Sequence, residues 1–245
     1  MCLLTYYPSG AMPDPEMLTG GADCNPHGHG FAIVADRHVI VRHGMNPVDL
    51  VSTFERMRAA YPDGPALFHS RFATHGSVGT HNCHPFLVGG DKRTVLAHNG
   101  VLPAPARPTG RDWRSDTRVF AEVLLPAARF GSLTTRRGRA RLARWLGPSN
   151  KIVVLTVDPR YRQSAYLFNE DCGYWCDGVW YSNLDFCTVG ALDEADVEGS
   201  YLDCDACGAV DVLDPVTGIC DACGCFDCGQ SKSHCLCYVP QRLTV

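Results

Sequence analysis

The chain has no apolar run approaching the roughly 20 residues that cross a bilayer, and no basic segment followed by an apolar one near its start. Neither a membrane span nor a secretory leader is expected, and the expected location is the cytoplasm. Nor is there a large excess of one charge: the formal charge is −4 over 245 residues, with both signs interspersed. Such a balance creates no whole-molecule field for nucleic acid or an anionic membrane, so neither is an expected partner. The local exception is Arg136, Arg137, Arg139, Arg141 and Arg144, a cluster that suits a solvated helix face and also suits a phosphate or an acidic partner.

A regular alternation of strand and helix is also missing, which disfavours a doubly wound parallel sheet and favours an α+β layered fold. What is present is a series of apolar runs. "CLLTYY" reads as a strand from residue 2, and "FAIVADRHVIVRHG" as a hairpin turning at Asp36 and Arg37. Asn46 followed by Pro47 opens a helix whose apolar face is Leu50, Val51, Phe54, Met57 and Tyr61. Strands follow at "PALFHS", "FLVGG" and "RTVLAHNG", then a helix in "DTRVFAEVLL" capped by Ser115, and further strands at "KIVVLTV", "SAYLF" and "GVWYSN".

Beyond about residue 198 apolar residues become scarce, and Gly, Asp and Cys dominate, so hydrophobic burial cannot hold this part. The motif CxxCG repeats at 204, 220 and 225. Cys204, Cys207, Cys220 and Cys223 have the spacing of a four-thiolate zinc site, whose closed shell makes it structural. Cys225 and Cys228 are placed to bind a second ion with Cys235 and Cys237, His234 being a rival for one of the last two places. One to two structural zinc ions are the expected cofactors, with no organic cofactor. The division is thus 2–198 for the main domain and 199–245 for a small zinc-ribbon-like module. Cys24, Cys83, Cys172, Cys176 and Cys187 are expected as buried small hydrophobes.

Two features point to chemistry. Cys2 becomes the first residue once the initiator methionine is removed, which sets a thiol beside a free α-amine; the amine is basic enough near neutral pH to take the thiol's proton. The loop "HSRFATHGSVGTHNCHPF", residues 69–86, has neither helical nor strand periodicity and is delivered by a buried strand, as binding loops are. On composition alone, His75, His81, His84 and His98 with Cys83 also suit a transition metal, Arg71 suits a core salt bridge, and Asn99-Gly100 suits a hairpin turn.

Taken in order, Cys2, "NPHGHGFA" at 25, "HSRFATHG" at 69, "HNCHPF" at 81, "AHNGVL" at 97 and "SDTRVF" at 115 resemble the class II glutamine amidotransferase domain of the N-terminal-nucleophile hydrolases, over about residues 2–190. The resemblance implies a four-layer αββα sandwich. It implies Cys2 as nucleophile, Asn99 and Gly100 as the oxyanion hole, Arg71 on the α-carboxylate of glutamine and Asp116 on its α-ammonium, with Thr74 and His75 lining the pocket. His27 stands where many relatives carry an acidic residue, and Leu3 where a small residue often follows the nucleophile.

The function so implied is hydrolysis of the side-chain amide of L-glutamine through a thioester on Cys2, with ammonia passed to a separate synthase protein. Residues 199–245 are too short and too metal-rich to be that synthase. Two alternatives stay open: a γ-glutamyl amide hydrolase without an acceptor, and a zinc-ribbon adaptor carrying an inactive amidotransferase domain.

Overall fold

The computed structural model describes residues 2–127 and 129–185; the eight cysteines of the expected zinc module, and Cys187, lie outside the described residues. The described residues belong to the first of two units into which the chain divides, residues 1–188.

Two antiparallel sheets form the centre. The first has six strands in the order β3-β2-β4-β1-β10-β9: His38–Gly44, His29–Ala35, Ala66–Ser70, Leu3–Tyr7, Val179–Tyr181 and Tyr174–Cys176. The second has four, β5-β6-β7-β8: Phe86–Val88, Asp91–Asn99, Lys151–Thr156 and Ala165–Phe168. Three buried clusters define the layers. Leu4, Ala32, Leu67, Trp180, Val95, Ala97, Val153 and Leu155 pack between the two sheets. Phe31, Ile33, Phe68 and Tyr181 pack against Leu18 of α1, Pro15–Cys24, and against Leu50 and Phe54 of α2, Pro47–Ala60. Leu96, Ile152, Val154 and Phe168 pack against Phe120, which follows the short α3, Asp116–Val119, and against Leu142 and Leu146 of α4, Arg136–Leu146. The order helix, sheet, sheet, helix is the layering expected from the resemblance. Strands covered on both faces read as continuous apolar runs, which is why "FAIVA" and "KIVVLT" do not alternate.

Some expectations are corrected. Helix α1 is absent from the sequence reading because "PEMLTGGADC" holds two adjacent glycines and little periodicity. Tertiary packing of Leu18 and an Asp14 cap, accepting from the Glu16 and Met17 N–H groups at 2.8 and 3.3 Å, hold it instead. In α2, capped by Asn46 as expected, Tyr61 is exposed and Arg58 is buried in its place. The Arg58 guanidinium donates to the carbonyls of Pro8, Ala11, Tyr61 and Gly64, which satisfies a charge that otherwise would not tolerate burial. Of the expected buried thiols among the described residues, only Cys83 is buried: Cys24 ends α1 on its solvent side, Cys172 sits in an exposed turn, and Cys176 is half-buried on edge strand β9. No helix among the described residues is long and apolar enough to cross a membrane.

Candidate active site

Strand register assembles the site. β1 pairs antiparallel with β4 at Leu3↔Ser70, so Cys2, one step before Leu3, lies against Arg71 and Phe72, one and two steps beyond Ser70. The Phe72 N–H donates to Cys2 Sγ at 3.3 Å, and the thiol lies 3.4 Å from the Phe72 carbonyl oxygen. On the far side of β1, Ser182 N–H donates to Leu4 O at 2.8 Å, Leu4 N–H donates to Ser182 Oγ at 2.9 Å, and Asn183 Nδ2 donates to Cys2 O at 3.1 Å. The nucleophile candidate is therefore held by the Phe72 backbone on one side and by the Asn183 side-chain amide on the other.

β2 pairs with the same Ser70 through His29, which carries the "NPHG" turn to the other side of the loop. Arg71 N–H donates to Gly28 O and His27 N–H to Arg71 O, both at 2.9 Å. The Ala73 N–H donates to His27 Nδ1 at 2.9 Å, and the imidazole packs on Phe72 with ring centres 5.0 Å apart. At the position where the resemblance departs from its relatives, the imidazole thus steadies the start of the loop.

A small pocket opens here, lined by Cys2, Arg71, Phe72, Thr74, His75, His84, His98, Gly100, Ser115, Asp116 and Thr117. Six of the seven catalytic and substrate-binding candidates named from the sequence meet in it. The seventh, Asn99, is buried beside it at the end of β6, its Nδ2 donating to Ser182 Oγ at 2.8 Å. Gly100 has φ of +134°, and a Cβ there would lie 2.6 Å from Asn150 Oδ1, so only glycine brings this backbone to the pocket wall.

The guanidinium of Arg71 is buried, donating from Nη1 to Ser77 O at 3.0 Å and from Nη2 to His75 O at 2.7 Å. Arginine has five N–H donors, so three remain for a carboxylate. Asp116 accepts from the Leu102 N–H at 2.9 Å and the Thr117 N–H at 2.8 Å, which fixes its carboxylate on the opposite wall. Burial raises the Cys2 thiol above the usual range; the Phe72 N–H and the charge of Arg71 act in the lowering direction, and Asp116 in the raising one. A thiol held protonated in this way needs a base to be a nucleophile at neutral pH.

Sequence reading missed the buried histidine cluster at the pocket, of which His84 and His98 line it. His84 Nδ1 and His69 Nε2 are 2.7 Å apart, and His69 Nε2 is 3.0 Å from His98 O. A carbonyl only accepts, so His69 carries its proton on Nε2, His84 Nδ1 is the acceptor, and the proton of neutral His84 is on Nε2. His98 bonds Thr117 Oγ1 at 2.9 Å and Asn150 Oδ1 at 2.8 Å. Burial first of all holds all three below the ordinary histidine range. Their signals were present in "HNCHPF" and "AHNGVL", but nothing in the spacing says that these rings gather at the pocket. Among the described residues no group of three or more His, Cys, Asp or Glu is arranged to hold a metal ion.

No protein-family model matches the chain. It is 31% identical over 106 residues to a glutamine–fructose-6-phosphate aminotransferase (isomerizing) of Chlamydia caviae, a match covering 42% of this chain and 17% of that protein. It is 36% identical over 74 residues to the protein of the same name from Corynebacterium efficiens, covering 30% and 12%. The matched stretches thus span less than a fifth of either relative. Among solved structures, the glutamine phosphoribosylpyrophosphate amidotransferase of B. subtilis, complexed with ADP and GMP, is similar at 18% identity and a TM-score of 0.47, over 76% of this chain and 42% of that one. A glutamine aminotransferase class-II domain protein from Silicibacter pomeroyi is similar at 20% identity and a TM-score of 0.31, over 64% and 73%.

Proposed function

We propose that the protein is a glutamine amidotransferase of class II that hydrolyses the side-chain amide of L-glutamine through a thioester on Cys2 and delivers the ammonia to a separate synthase protein. The observation that carries the reading is the meeting of Cys2, Arg71, Thr74, His75, Gly100 and Asp116 around one pocket, from four separated stretches of chain. The matched relatives, named as glutamine-dependent aminotransferases, point the same way.

In this reading Arg71 binds the α-carboxylate with its free donors and Asp116 the α-ammonium, which leaves the side-chain amide directed at Cys2. Loss of Met1 frees the α-amine of Cys2. That amine takes the thiol proton as Sγ attacks the amide carbon, then hands it to the departing nitrogen, so ammonia leaves and the γ-glutamyl thioester remains. Water, activated by the same amine, cleaves the thioester to glutamate. The Gly100 N–H and the second N–H of the Asn99 amide stabilise the oxyanion; a donor of this kind is worth about 3 to 4 kcal/mol. Residues 199–245, read as a structural zinc module, serve as the contact with the synthase.

The γ-glutamyl hydrolase alternative shares the clamp and differs in the leaving group. One assay separates them: incubation with glutamine and with a panel of γ-glutamyl amides, following glutamate release. Glutamine is the expected preferred substrate, and Cys2→Ala is expected to abolish turnover. Intact mass should show loss of Met1, and diazo-oxo-norleucine should label Cys2. Full hydrolytic activity in Cys2→Ala refutes the reading.

A further inference from the structure

Glutamine carries its α-carboxylate and α-ammonium on one carbon, so a clamp made of Arg71 and Asp116 works only if the two side chains keep a fixed separation. They come from different segments. Arg71 begins the loop that runs to residue 82, and Asp116 begins α3 after the irregular segment 112–115. We infer that Asn82 is the positioning residue that sets this separation, a role that rests on the glutaminase reading.

Asn82 is fully buried and its amide spans the gap between the two segments. Oδ1 accepts from the Ser115 N–H at 2.9 Å, while Nδ2 donates to Trp113 O at 2.8 Å and to Ser77 O at 3.0 Å. Ser77 O is the same oxygen that receives Arg71 Nη1 at 3.0 Å. Ser115 caps α3, its side chain accepting from the Arg118 N–H at 3.2 Å, so the place of its backbone decides where Asp116 begins the helix. An unbroken path therefore runs from the Arg71 guanidinium through Ser77 O, the Asn82 amide and Ser115 N to Asp116. The segments touch as closely as backbone allows: at Gly76, with φ of +76°, a Cβ would lie 2.7 Å from Ser115 N. Outside this path His81 adds a second fastening, with Nε2 2.8 Å from Ser77 Oγ and its ring edge-on to Trp113.

The amide is matched to its neighbours in both halves. Replacing it by carboxylate keeps the bond from Ser115 N but turns two donations into oxygen facing oxygen. Asn82→Asp therefore pushes the Arg71 loop off while leaving Cys2 and its contact with Phe72 in place, since Asn82 touches neither.

The test measures glutamine hydrolysis by wild type, Asn82→Asp and Asn82→Ser, together with alkylation of Cys2 by iodoacetamide and inactivation by diazo-oxo-norleucine. Iodoacetamide has no α-amino acid group and reads only the thiol. KM is expected to rise by about tenfold or more with kcat within about threefold, because a misplacement of the order of 1 Å is costly to a positioned substrate. Diazo-oxo-norleucine should slow by the same factor as kcat/KM, with iodoacetamide unchanged. Should Asn82→Asp fail to fold by circular dichroism, Asn82→Ser, which keeps a small polar group, supplies the same comparison. An unchanged KM in a folded variant overturns the inference, as does an iodoacetamide rate that falls in step with diazo-oxo-norleucine. If wild type releases glutamate from neither glutamine nor any γ-glutamyl amide, the glutaminase reading has failed and the inference falls with it.

Discussion

Mild acid should destabilise this protein before its carboxylates titrate. Four histidines, His29, His69, His84 and His98, are buried, and burial holds each below its ordinary value, His29 down to about 4. Asp23 and Asp116 partly oppose this at His29 and His98, while Arg71 reinforces it at His69 and His84. The unfolded chain, whose histidines titrate near about 6.5, then binds more protons than the fold, so stability falls as pH drops below about 6.5. At pH 5, His29 alone destabilises the fold by about 2 kcal/mol relative to neutral pH. The other three act in the same direction, and the total stability of an ordinary domain is only about 5 to 15 kcal/mol. Asp112 and Asp158, held at about 2 by Arg114 and Arg160, lose their stabilising effect only below about pH 4, which leaves the window from about 6.5 to 4.5 to the histidines. The assay is urea unfolding at pH 7.5 and pH 5.0, with proton uptake on unfolding measured at the lower pH. The midpoint should fall sharply, and His29→Gln should remove about one proton of uptake. Equal midpoints at the two pH values would refute the reasoning. Because His84 and His98 line the pocket, loss of activity is expected to track the loss of structure.

Arg71→Lys should raise KM for glutamine by about 10- to 100-fold despite the kept charge, since a point-like ammonium cannot reproduce the planar fork that reaches Ser77 O, His75 O and a carboxylate from separate nitrogens. Steady-state kinetics check this, and an unchanged KM would place the carboxylate contact elsewhere. For residues 199–245, metal analysis of the purified full chain should find one to two zinc ions, and none would remove the structural-zinc reading. Deleting that stretch should leave glutamine hydrolysis largely intact and weaken capture of the synthase partner from native lysate; loss of hydrolysis in a chain still folded would instead tie the stretch to catalysis.

Local chemistry was legible before any coordinates. Asn46-Pro47 announced α2, the Asp36-Arg37 turn announced the first hairpin, and each long apolar run became a strand, because caps, turns and burial period are properties of neighbouring residues. Helix α1 escaped because packing, not propensity, holds it, and edge strand β9 escaped because its three residues, largely exposed, are defined only by their pairing with β10. The candidate site was legible only through its ordered motifs, since Cys2, Arg71, Gly100 and Asp116 share no local pattern. Their convergence depends on the pairing of Leu3 with Ser70 and on the crossing of two sheets, which are long-range facts. Burial of the histidine cluster and the latch through Asn82 belong wholly to the tertiary structure. A side chain's titration and its choice of hydrogen-bond partner are set by whatever the fold brings against it, and among the described residues those partners come from up to 181 residues away along the chain.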